Sequence, residues 1–99
     1  MPEIMYEVTA VVDAEVMDDF ERFMIERHMP DVMATGEFAS ATMGRSGEGR
    51  YRILYVARDR EALDRYFNDH APRLRADVAE KFPTGVELSR EEWEMIASL

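Results

Sequence analysis

The chain has 99 residues, no cysteine and a formal net charge of −9, and 46% of its residues are hydrophobic. This length supports one domain, residues 1–99, and this hydrophobic content excludes a disordered chain. The acidic surface disfavours nucleic acids and anionic membranes as partners, and the lack of cysteine excludes disulfides and thiolate metal sites.

The amino-terminal third predicts a strand followed by a helix. Residues 3–12 alternate between two faces, as a half-buried strand does. Asp13 is a suitable N-cap, and apolar side chains recur at helical spacing from Ala14 to about His28. Pro30 lacks a backbone donor, so we expect the helix to stop or bend there, with a short helical turn over 31–34.

The middle of the chain predicts a hairpin and then a second helix. Residues 37–45 and 50–58 have strand alternation and are joined by a glycine-rich connection. Asp59 is expected to cap the second helix, and Pro72 is expected to break it. The helical pattern then resumes over 73–82.

The carboxyl-terminal segment is ambiguous between strand and helix. We predict a strand from about 85 to 91, whereas Ser89 followed by Glu92 is also typical of a helix capping box. With this strand the order is β-α-β-β-α-β. That order predicts an α+β, ferredoxin-like domain, a four-stranded antiparallel sheet with two helices on one face.

The predicted strand 50–58 is apolar on both sides. Leu54 and Val56 lie opposite the core-facing side chains, and helices can cover only one face of the sheet. We therefore expect a second copy to cover the other face, which gives a homodimer. The alternative is a partly hydrated face that carries Glu7, Arg52 and Arg58.

Two histidines, His28 and His70, each precede a proline by two residues at the end of a helical pattern. Either could act as a general acid or base, because the imidazole titrates near neutral pH. Alternatively, both only terminate helices, where an imidazolium meets unpaired carbonyls. The antiparallel helices of this fold place their ends far apart, so we expect no metal site that joins the two histidines.

Two blocks, ERHMPDVMATGEF (26–38) and YFNDHAPRLR (66–75), together with YEVT (6–9), resemble a bacterial family known as domain of unknown function 4286. The resemblance extends over nearly the whole chain. It implies a ferredoxin-like fold and a homodimer of the dimeric α/β-barrel group, but it implies no particular reaction. The wider group includes small cofactor-independent monooxygenases, lactone isomerases, haem-degrading oxygenases and stress proteins.

The sequence predicts an apolar ligand cavity between the helices and the sheet. Tyr6 projects from the core side of its strand, with Tyr51, Tyr55 and Phe38 as expected neighbours. We predict Tyr6 and His28 as catalytic residues, and Arg45 or Arg73 as the partner of a substrate carboxylate. The expected lining residues are Phe20, Phe23, Met24, Met33 and Tyr55. The alternative is an ordinary aromatic core without a ligand.

The combined prediction is a small cytoplasmic homodimer that binds a small hydrophobic molecule. If it is an enzyme, we expect proton transfer or oxygenation of an aromatic or lactone-like molecule without a bound metal or cofactor. The competing prediction is a non-enzymatic binding protein or stress-associated dimer. No apolar run reaches the ~20 residues of a membrane span, and the amino terminus lacks a basic signal region.

Overall fold

Four strands alternate with helical segments in the computed structural model, which describes residues 2–99. The elements are β1 (Ile4–Val12), a 3₁₀ turn (Ala14–Val16), α1 (Met17–Phe23), a π-helical turn (Met24–His28), α2 (Met29–Ala34), β2 (Phe38–Ser46), β3 (Arg50–Ala57), α3 (Arg60–Asp69), α4 (Ala71–Lys81) and β4 (Val86–Glu94). The strands form one antiparallel sheet in the order β2-β3-β1-β4. This confirms the predicted α+β, ferredoxin-like architecture.

The core lies between one face of this sheet and the helices. Side chains of β1 and β3 alternate, so that every second residue points to the helices, and all of these except the half-buried Val8 are buried. The buried strand residues are Ile4, Tyr6, Ala10, Val12, Tyr51, Ile53, Tyr55 and Ala57. Helical residues such as Phe20, Leu63 and Leu74 close the core from the other side.

The first helix does not end at Pro30, because residues 14–34 are helical without a break. A π-helical turn precedes the proline, and the N–H of Met29 donates to the carbonyl of Met24, five residues back. In a regular α-helix the Pro30 ring would collide with the carbonyl of Glu26. The wider turn relieves this collision, and the helix ends at Ala34, followed by Gly36 with a φ of +81°.

The carboxyl-terminal strand is longer than predicted. β4 runs to Glu94 and pairs with β1 along its whole length. Ser89 lies in mid-strand opposite Thr9, with the two hydroxyl oxygens 2.5 Å apart. The alternative of a helix capped by Ser89 is therefore wrong.

The other face of the sheet has no helix over it and is mixed in character. Met5, Leu54, Val56 and Trp93 form an apolar strip at one end, where strand pairing places Met5 beside both Val56 and Trp93. Glu7 forms an ion pair with Arg52 next to this strip. Trp93 is 48% exposed although its indole N–H donates to Glu7. Within residues 2–99, no helix is long and apolar enough to cross a membrane.

Candidate ligand-binding cavity

A narrow cavity lies between the helices and the core side of the sheet. Its apolar lining consists of Val8, Phe20, Met24, Val78 and Leu88, and its polar lining of Tyr6, His28, Tyr55, Tyr66, Arg75 and Arg90. The free volume of the cavity is only about 30 Å³. That is room for roughly two water molecules, so a larger ligand requires side chains at the mouth to move.

Aromatic rings from several elements surround Tyr6. Its ring centroid lies 5.9 Å from that of Tyr55, 6.3 Å from Phe38 and 5.2 Å from Phe67. The first two contacts confirm the neighbours expected from strand alternation. Tyr51 is not in contact with Tyr6 and packs instead on Phe20, at 5.2 Å.

Tyr55 lines this cavity, and its buried hydroxyl has no hydrogen-bond partner among the described residues. The residue is only 2% exposed. Burial raises the pKa of Tyr55 above its ordinary value of 10, so the phenol stays protonated at any physiological pH. A buried, unsatisfied donor is costly, which makes this hydroxyl a natural contact for a polar ligand atom.

His28 reaches the same cavity from the last residue of the π-helical turn. Its ring stacks on Phe23 at 6.2 Å. Burial lowers the pKa of His28 below its usual 6.5 and outweighs the opposing effect of the Asp31 and Asp77 carboxylates. The imidazole is therefore neutral near pH 7 and has a lone pair that can accept a proton.

The two histidines have different surroundings. The explanation that both terminate helices is wrong for His28, because the helix continues to Ala34. It holds for the position of His70, which joins α3 to α4 and donates its backbone N–H to the carbonyl of Tyr66. His70 does not line the cavity.

The structure brings five of the nine predicted site residues to the cavity. These are Tyr6, Phe20, Met24, His28 and Tyr55. Phe23 lies behind the imidazole of His28 without lining the cavity. Met33 instead lines a separate surface hollow against β2.

Neither predicted arginine lies at the cavity. Arg45 donates to Glu21 at 2.8 Å, and Tyr51 donates to the same carboxylate oxygen at 2.5 Å. These two bonds lower the pKa of Glu21, and burial together with this carboxylate raises the pKa of Tyr51 to about 12. Arg73 is exposed on α4, where its Nη2 atom lies 3.4 Å from Nδ1 of His70.

Two other arginines, Arg75 and Arg90, occupy the cavity wall and were missed by the sequence analysis. Arg75 donates from Nη2 to the hydroxyl oxygen of Tyr6 at 3.2 Å. A signal for Arg90 was present, because Val86, Leu88 and Arg90 alternate onto the inward face of β4. Within residues 2–99, no group of three or more His, Asp or Glu side chains is arranged to hold a metal ion.

The sequence model of the family described as Domain of unknown function (DUF4286) matches residues 3–96. No curated protein matches the sequence significantly. Among solved structures, the chain is similar to SnoaB, a cofactor-independent oxygenase from Streptomyces nogalater, with a TM-score of 0.77 and 17% identity over 100% of this chain and 98% of that one. A dimeric ferredoxin-like protein from an uncultured marine organism has a TM-score of 0.72 and 18% identity over 100% of both chains. A protein of unknown function from Nitrosomonas europaea has a TM-score of 0.73 and 15% identity over 100% and 94%. At these identities the likeness shows the fold.

Proposed function

The chain belongs to the family described as Domain of unknown function (DUF4286), and on that premise we propose that it is a small homodimeric enzyme acting on a small aromatic molecule without a cofactor. The fold hosts many activities, so the proposal depends on the cavity and not on the family. The proposed chemistry is proton abstraction, followed by reaction of the resulting anion with dioxygen.

The observation that carries this proposal is the pairing of His28 with Tyr55 in one apolar cavity. The imidazole is held neutral by burial and can serve as a general base. The phenol of Tyr55 has no hydrogen-bond partner within residues 2–99 and can donate to the oxygen on which negative charge develops. A base and an unpaired donor beside one apolar space suit the removal of a proton next to a carbonyl or phenol oxygen.

In the proposed step, His28 takes the proton from a carbon next to a carbonyl group, and the enolate oxygen accepts a hydrogen bond from Tyr55. The electron-rich enolate carbon then reacts with dioxygen to give a peroxide, which takes up the proton and loses water to leave a new carbonyl group. The oxidant is dioxygen, and the substrate itself supplies the electrons. The likeness to a cofactor-independent oxygenase is consistent with this chemistry.

The proposed homodimer forms through the face of the sheet that no helix covers. Leu54 and Val56 are half-buried there, and Trp93 is 48% exposed. A second copy would remove this apolar strip from water. The dimeric ferredoxin-like structural neighbour supports this assembly.

Ligand binding without turnover is the second candidate function. It is favoured by the small free space of about 30 Å³, which leaves little room for a substrate to reorient. In that case His28 would contribute packing against Phe23 and no proton transfer.

The test uses 2-tetralone, an uncharged aromatic ketone with an acidic CH₂ group, in D₂O. We expect the wild-type protein to catalyse exchange of these protons, measured by ¹H NMR, and to consume dioxygen in aerated buffer. His28→Gln should lower the exchange rate about 10²-fold or more, the usual contribution of a general base. Because the pKa of His28 is lowered, the wild-type rate should fall on acidification with a midpoint below pH 6.5.

His70→Gln is the matched control, since it removes the other imidazole at a site outside the cavity. It should retain the wild-type exchange rate. An exchange rate in His28→Gln equal to that of the wild type would contradict the proposed base. If the wild-type protein does not exchange these protons faster than buffer does, but 2-tetralone still raises its melting temperature, binding without turnover is the better description.

A further inference from the structure

We infer that the ligand of this cavity carries a carboxylate, which Arg75 and Arg90 bind at the cavity mouth. This inference rests on the proposed function and specifies its substrate class. It also moves the carboxylate partner away from Arg45 and Arg73, where sequence reasoning placed it.

The first observation is the charge balance of the cavity wall. Arg75 and Arg90 both line it, and no Asp or Glu does so, although the whole chain carries a net charge of −9. Among the described residues, neither arginine forms an ion pair. Two guanidinium groups without an ion-pair partner among the described residues, both beside one cavity, attract an anion.

The second observation is that Arg75 lies between the cavity and the surface of the protein. A surface cleft adjoins the cavity and shares Tyr6, Arg75 and Arg90 with it. The cleft is also lined by Phe67, Glu91 and Glu92, and Glu92 already pairs with Arg60 at 2.7 Å. Arg75 lies over the ring of Phe67, 5.6 Å from its centroid. Its side chain therefore forms part of the wall that must move to admit a ligand.

The third observation is the pattern of hydrogen bonding inside the cavity. Arg75 donates to the Tyr6 hydroxyl, whereas the hydroxyl of Tyr55, a residue that is 2% exposed, has no partner in the part of the chain that the structure describes. A ligand with an acidic group at the mouth and an oxygen deeper inside would pair with the arginines and Tyr55 together. Arginine is suited to this task because its planar donors match both oxygens of a carboxylate.

The test compares 1-naphthoate with 1-naphthamide, which have the same ring and nearly the same shape but differ in charge. We expect calorimetry to show that the wild-type protein binds the acid about tenfold or more tightly than the amide, as one charge-assisted bidentate contact provides. In an Arg75→Gln/Arg90→Gln double variant this ratio should fall to near one, with amide binding retained.

Lys81→Gln is the matched control, because it removes one positive charge from the same helix at a residue that does not line the cavity. It should keep the wild-type ratio. Equal binding of acid and amide by the wild-type protein would overturn the inferred carboxylate, and exchange of the uncharged 2-tetralone would show that the proposed function survives. Failure to bind either naphthalene compound, together with no exchange of 2-tetralone, would overturn both.

Discussion

At the scale of single residues, Tyr55 and Tyr51 show how one residue type serves two purposes in one strand. Both are buried on the core side of β3. Tyr51 donates its hydroxyl to Glu21 at 2.5 Å, whereas the Tyr55 hydroxyl has no partner among residues 2–99. An unsatisfied buried donor lowers stability and is therefore expected chiefly where a ligand supplies the missing acceptor.

This contrast predicts opposite effects of the same substitution. Tyr55→Phe should raise the free energy of unfolding of the ligand-free protein by about 1 kcal/mol, because it removes an unsatisfied group. Tyr51→Phe should lower the free energy of unfolding, because it leaves the Glu21 carboxylate without this donor. Urea denaturation of both variants measures the difference. A loss of stability in Tyr55→Phe would mean that an ordered water molecule satisfies the hydroxyl.

At the scale of elements, the π-helical turn sets the register of the first helix. Phe20 and Val32 are both fully buried, although twelve residues of a regular helix span about three and a third turns. In a regular helix Val32 would therefore lie about a third of a turn away from the core. The extra residue in the turn Met24–His28 restores the alignment and directs His28 to the cavity.

This role of the turn predicts that the helix tolerates one specific deletion. Deletion of Arg27, an exposed residue of the turn, combined with Pro30→Ala to remove the ring that a regular helix does not accommodate, should give a regular α-helix that keeps Phe20 and Val32 aligned, since eleven residues span about three turns. We expect the melting temperature to stay close to that of the wild type. Exchange of 2-tetralone should be lost, because the imidazole of His28 changes direction.

Deletion of Asp64 is the matched control, because it removes an exposed residue from the regular helix α3. It should rotate one half of that helix by about 100° and lower stability by several kcal/mol. Thermal denaturation followed by circular dichroism measures both deletions. Equal destabilisation by the two would contradict the proposed role of the π-helical turn.

At the scale of the whole molecule, one face of the sheet lacks a covering layer. The apolar strip of Met5, Leu54, Val56 and Trp93 lies on β1, β3 and β4, so it is continuous across three strands. A flat apolar surface of this kind is typically an interface. The ion pair between Glu7 and Arg52 beside it would form part of the polar rim.

The proposed homodimer predicts a concentration-dependent mass. The wild-type protein should sediment as a dimer at micromolar concentration, and Val56→Glu should sediment as a monomer because it places a charge within the apolar strip. Ala79→Glu adds the same charge at an exposed position of α4 and should remain dimeric. Sedimentation of the wild-type protein as a monomer would contradict the assembly.

The residues of the site could be predicted only where a local sequence pattern determines the direction in which a side chain points. Strand alternation placed Tyr6 and Tyr55 together, and helical spacing placed Phe20, Met24 and His28 near them. Arg75 and Arg90 reach the same cavity from α4 and β4, which lie far from β1 along the chain. Strand alternation does indicate that Arg90 faces inward, whereas the direction of the Arg75 side chain depends on its contact with Tyr6, 69 residues away, which local spacing does not show.

The order of the elements and the buried face of each strand follow from the sequence, because both depend on periodicity and capping between near neighbours. The sequence also determines the acidic balance of the surface. The tertiary structure adds that the helix continues through Pro30, that Arg45 binds Glu21 and that Arg75 borders the cavity. These outcomes depend on packing between segments that are distant in the chain. At Pro30, for example, the burial of Val32 in the core outweighs the local tendency of a proline to end a helix.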